Sequence, residues 1–104
     1  MNTNENKKQE IDIAQYSKEG KEVPKNEHYI IIVDQTRYKV EKECMTGREI
    51  LILAGKNPPE RFQLNQRFKD GKVVTIKYDQ KVCFTEPGIE KFMTIPLDQT
   101  EGGR

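Results

Sequence analysis

The stretch TGREILILAGKNPP, residues 46–59, restricts the fold more than any other part of the chain. Thr46 and Glu49 have the spacing of a capping box, in which hydroxyl and carboxylate each meet an exposed backbone N–H at a helix start. Ile50, Leu53 and Ala54 then share one face, with Leu51 beside them. Gly55 can take the left-handed conformation that closes a helix, and Pro58-Pro59 prevents its resumption. The spacing predicts a helix near Gly47–Ala54, of about two to three turns. So short a helix is marginal alone and must lean on a partner surface.

That surface comes from the flanking segments. HYIIIVD sets four β-branched residues, Ile30 to Val33, after a tyrosine, the pattern of a well-buried strand. TRYKVEKE alternates Tyr38 and Val40 with charged neighbours, so it predicts a strand with one wet face. The short link at Asp34 and Gln35 makes the two an antiparallel hairpin. After the helix, RFQLNQRF alternates Phe62 and Leu64 with polar residues, and Asp70-Gly71 is a strong hairpin signal. Val74, Ile76 and Tyr78 share a face in VVTIKYD. KVCF is a short apolar patch, and Pro87-Gly88 turns the chain into a last strand through Phe92.

The predicted order is strand, strand, helix, then three or so strands. The 104 residues suit one domain, and their apolar material is too sparse for two packed sheets. The fold class this implies is α+β: a mixed sheet with one short helix packed across it, the β-grasp order of ubiquitin. The body is expected over residues 28–97. Residues 1–27, polar and without sustained periodicity, read as a flexible N-terminal arm. Within it Ile11 and Ile13 stand two apart with Tyr16 close behind, a short strand, a docking segment or a weak apolar patch. Residues 98–104 read as a flexible C-terminal tail ending Gly-Gly-Arg.

Composition closes off several functions. Lys and Arg number 18 against 17 Asp and Glu, so no basic excess calls for nucleic acid. No apolar run reaches the roughly 18 residues of a membrane span, and no signal-peptide pattern opens the chain, so a cytoplasmic location is expected. Cys44 and Cys83 lie far apart with no CxxC spacing, which reads as two reduced, half-buried thiols and no metal site. His28 is the sole histidine and has no evident nucleophilic partner in sequence, so it reads as structural or solvated. No catalytic residue and no cofactor are expected, and the chain is not read as an enzyme.

YIIIVDQTRYKVEKECMTGREILILAGKNPP and GIEKFMTIPL resemble the opening and closing segments of the bacterial multiubiquitin-domain proteins. The lead-in IDIAQYSKEGKEVP resembles the segment before those domains. The chain departs from the family pattern in carrying one copy, which favours a free modifier over a polyvalent array. The resemblance implies a ubiquitin-like protein modifier, with Gly102 and Gly103 as the conjugation terminus and Arg104 as a cap removed by processing. It implies as partners an activating enzyme, a conjugating enzyme, a JAMM-type maturing metallopeptidase and target lysines. Two alternatives stay open. One is a sulfur carrier whose terminal carboxylate becomes a thiocarboxylate. The other is an assembly module whose segment Ile11–Tyr16 adds to a neighbour's sheet edge.

Overall fold

The computed structural model describes residues 10–25 and 28–97. The elements are β1 (Glu10–Asp12), α1 (Ile13–Lys18), β2 (His28–Val33), β3 (Thr36–Val40), β4 (Cys44–Thr46), α2 (Gly47–Leu53), a 3-10 turn (Pro59–Arg61), β5 (Phe62–Phe68), β6 (Val73–Ile76), β7 (Lys81–Cys83) and β8 (Ile89–Pro96). One mixed sheet runs β1-β2-β8-β5-β6, with β3 on β2, and β4 and β7 make a separate two-stranded sheet. This is the expected α+β β-grasp architecture, with α2 as the short helix across the sheet.

Local chemistry builds the frame as the residues suggest. The Thr46 hydroxyl accepts from the Glu49 N–H at 3.2 Å, and the Glu49 carboxylate accepts from the Thr46 N–H at 2.9 Å. At the other end Gly55 has φ +78°, and the N–H groups of Gly55 and Lys56 reach back to the Ile52 and Leu51 carbonyls. That is the closing motif a glycine permits. Asp34 and Gln35, both at positive φ, form the two-residue turn between β2 and β3.

Ile50 and Leu51 of α2 are fully enclosed with Tyr29, Ile31, Val33, Leu64, Phe84 and Phe92. Tyr29, Ile31 and Val33 alternate along β2, so one strand face supplies the centre of the core. Leu53 and Ala54 are partly buried at its margin.

The N-terminal segment corrects the domain boundary. Residues 10–25, expected within a flexible arm, are folded against the body, and Ile11, Ile13 and Val23 belong to the core. The geometry at β2 explains why. β3 occupies one edge of β2 along its length, so β1 and β8 share the other. β8 pairs with β2 only at Val33↔Phe92, and β1 pairs in parallel with His28–Ile30. Where β8 parts from β2, β1 covers the free edge and α1 packs against both strands. Without them a row of backbone donors and acceptors would face solvent beside the core. Residues 1–9 and 26–27 of the expected arm, and the whole expected tail at 98–104, lie outside the described residues.

Two ion pairs bridge β1 and β3 over the solvent face of β2: Asp12 with Arg37, and Glu10 with Lys39 at 2.9 Å. They are exposed enough to be worth little in stability each, but they fix which side of β1 faces outward.

Candidate functional site

The residues with an expected chemical role, Gly102, Gly103 and Arg104, lie outside the described residues. What the fold defines is the structure that carries them. β8 runs antiparallel to β5 from the Ile89–Phe68 pair to the Pro96–Phe62 pair. The Leu97 N–H then donates to the Arg61 carbonyl at 2.8 Å, so the strand is held to its last described residue. The start of β5, beside this exit, is tied down by Tyr78, whose hydroxyl donates to the Phe62 carbonyl at 2.6 Å. Midway along β8, the Asp34 carboxylate accepts from the Thr94 N–H at 2.9 Å and from the Thr94 hydroxyl. The Lys56 ammonium lies 3.8 Å from the same carboxylate. Beside its pairing with β5, the strand end that leads to the tail is therefore held by two turns distant in sequence, through Arg61 and Asp34.

Ile95 and Leu97 are exposed at this end. A shallow cavity of about 230 Å³ opens there, lined by Gln63, Thr75, Ile76, Lys77, Tyr78 and Leu97. It is smaller than the roughly 300–1,000 Å³ of small-molecule sites. A larger cavity of about 540 Å³ lies at the opposite end of β8, between Phe68–Lys72 and Glu86–Gly88. It is lined by Phe68, Lys69, Asp70, Lys72, Glu86, Pro87 and Gly88, a set that contains neither His nor Cys.

His28 stands at the start of β2 with Nδ1 3.8 Å from the Glu41 carboxylate. Glu49 is held below the usual carboxylate range, first by the Thr46 backbone N–H and then by Lys42. Its perturbation belongs to a helix cap. Among the described residues no group of three or more His, Cys, Asp or Glu could hold a metal ion. Among them, too, no helix is long and apolar enough to cross a membrane.

The cysteines overturn their sequence reading. Cys44 and Cys83 are not separate thiols but a disulfide, their Cα atoms 4.0 Å apart. They face each other directly in the β4–β7 register, a pairing that no local pattern in either segment reveals. The Asp34–Thr94 contact was equally hidden: Asp34 is legible as a turn residue, but its partner lies 60 positions away.

A β-grasp sheet with a capped helix across it, and a clamped last strand leading to the C-terminal segment, defines a ubiquitin-like module. The family model for multiubiquitin matches residues 29–96, and the chain belongs to that family. No curated protein and no solved structure is detectably similar to the chain. The matched range begins after β1 and α1, so the segment that completes the β2 edge lies outside it.

Proposed function

We propose that the chain is a protein modifier that acts through the carboxylate of Gly103 after Arg104 has been removed. The observation that carries this reading is the pair Gly102-Gly103 beyond the last strand of a multiubiquitin-family body. Two residues without Cβ give a narrow strip of backbone with wide conformational freedom, suited to the tight channels of processing enzymes. The clamp on β8 supports the reading, because a fixed strand end sets where such a strip begins.

A carboxylate resists nucleophilic attack, so partners must activate it. A JAMM-type peptidase, whose zinc polarises the carbonyl and activates water, would cut after Gly103. The freed carboxylate attacks the α-phosphorus of ATP on an activating enzyme and releases pyrophosphate. A cysteine thiolate there displaces AMP to give a thioester. After transfer to a conjugating enzyme, a target lysine amine displaces the thiolate and forms the isopeptide. On this reading the chain contributes a docking body and a thin terminus and supplies no acid, base or nucleophile.

Intact mass spectrometry of the full chain with its cognate enzymes tests this. Loss of arginine, followed by an isopeptide at a target lysine, is expected. Gly103→Val should abolish both steps. A thiocarboxylate on Gly103 would instead make the chain a sulfur carrier. Persistence of Arg104, with no adduct from a chain ending at Gly103, would leave only a non-covalent assembly module.

A further inference from the structure

We propose that Cys44 and Cys83 form a reversible thiol–disulfide site that sets how firmly the start of α2 is held to the β7 segment. Its exchange partner would be a low-molecular-weight thiol–disulfide couple of the glutathione class. Side chains alternate between the two faces of the short strands β4 and β7. Met45 and Val82 face each other and are buried, so Cys44 and Cys83, one position away on each strand, project to the opposite side. Both cysteines are partly exposed. A small thiolate can therefore reach a sulfur without the core opening, as exchange requires. The buried core contains neither cysteine, so a change of redox state alters no core side chain.

The position gives the bond leverage. Among the described residues β4 and β7 pair only with each other. A two-stranded ribbon of this kind is marginal without a neighbour. Yet its ladder continues into α2: the Gly47 N–H donates to the Gln80 carbonyl at 3.0 Å and the Arg48 N–H to the Tyr78 carbonyl at 2.9 Å. On the other side the Phe84 N–H donates to the Glu43 carbonyl at 2.8 Å, beside a fully buried ring. A covalent link across this ribbon fixes the first turn of α2 and the approach to Phe84 together. It also ties residues 39 apart in sequence, which restricts the unfolded chain.

The chemistry balances with a small disulfide as oxidant. One cysteine thiolate attacks a sulfur of oxidised glutathione, giving a mixed disulfide and expelling one glutathione thiolate. The second cysteine thiolate attacks the protein sulfur of that intermediate, closes the Cys44–Cys83 bond and expels the other. The two protons lost by the cysteines end on the two departing thiols. Two electrons pass from the cysteine pair to the glutathione pair.

The test uses the folded full chain in glutathione mixtures of graded ratio, with acid quench, thiol alkylation and intact mass. The oxidised end should give a species lighter by the two lost hydrogens that takes up no alkyl group. The reduced end should give one that takes up an alkyl group at each cysteine, and the two should interconvert. Reduction should lower the thermal midpoint by roughly 10–20 °C. It should also speed hydrogen exchange at the amides of Gly47, Arg48 and Phe84 while sparing Leu64. Cys83→Ser should stop at a mixed disulfide on Cys44, and its midpoint should ignore the bridging step. Alkylation of both thiols in oxidised glutathione would overturn the proposal. So would a bond that yields to dithiothreitol only after unfolding, or equal midpoints and exchange rates in both states.

Discussion

Ile11 of β1 stands in parallel register with Tyr29 of β2, both buried in the same core, and the Tyr29 hydroxyl donates to the Pro24 carbonyl at 3.2 Å. Both ends of the 10–25 segment are thus tied to one strand. Between them Ile13, 1% exposed, and Ser17 turn the inner face of α1 toward the place where β8 leaves β2. The segment completes the sheet rather than leading up to it.

Ile13→Ala should therefore destabilise the fold by about 2–5 kcal/mol, as for other buried isoleucines. Chemical denaturation of the full chain measures it. Removal of residues before Val23 should cost at least as much. An unchanged midpoint in both variants would return the segment to the status of a solvated arm.

Gly47 makes a second, less intuitive case. In most exposed helices alanine outperforms glycine by up to about 1 kcal/mol. Here an added Cβ would lie 2.4 Å from the Lys77 carbonyl oxygen and 3.1 Å from the Ile76 methyl. The first contact is with backbone, which cannot swing away as a side chain can. Gly47→Ala should thus lose about 1–3 kcal/mol, the usual range for forced overpacking. A gain in thermal midpoint would show that propensity outweighs the contact.

The parts legible in the sequence were those written within a few residues. Thr46, Glu49 and Gly55 announce both ends of α2, and Asp70-Gly71, with Gly71 at φ +94°, announces the β5–β6 turn. Ile11 and Ile13 misled because their two-residue spacing looks like one strand. In fact Asp12 ends β1 and caps α1, so the two isoleucines belong to different elements. What made that segment fold was the open edge of β2, set by the path of β8 far along the chain. Cys44 and Cys83 failed for the same reason, since only the β4–β7 register brings them together. Of the candidate site, the glycine pair was legible as a motif, while the Asp34–Thr94 clamp depended on tertiary contact.

Glu49 links the cap to pH. Its folded pKa lies below the usual value near 4.5, so its ionised form stabilises the fold at neutral pH. That contribution is lost as pH falls through the folded value, because the unfolded chain binds the proton first. Glu49→Gln retains an oxygen for the Thr46 N–H but cannot ionise. Wild type should be the more stable at about pH 7, and the gap should narrow in thermal scans toward about pH 3. A gap independent of pH would assign the cap's contribution to geometry alone.

Asp34 combines a backbone role and a bonding role, and substitutions can separate them. Its φ of +50° lies in the left-handed region, which asparagine and glycine tolerate better than alanine. Its carboxylate also holds Thr94 through two hydrogen bonds, side by side with Lys56. Asp34→Asn keeps the turn and one acceptor oxygen but loses the charge, so about 1 kcal/mol should be lost. Asp34→Gly keeps the turn and loses every side-chain bond. Asp34→Ala loses the bonds and also strains the turn, for a total of roughly 2–3 kcal/mol. The expected order of stability is wild type, Asn, Gly, Ala. A double-mutant cycle with Thr94→Ala should give a coupling of about 0.5–3 kcal/mol, as for residues in direct contact. Alanine as stable as glycine would remove the strain from the account. Additivity with Thr94→Ala would mean that β8 is held at this point by its pairing with β5 and not by Asp34.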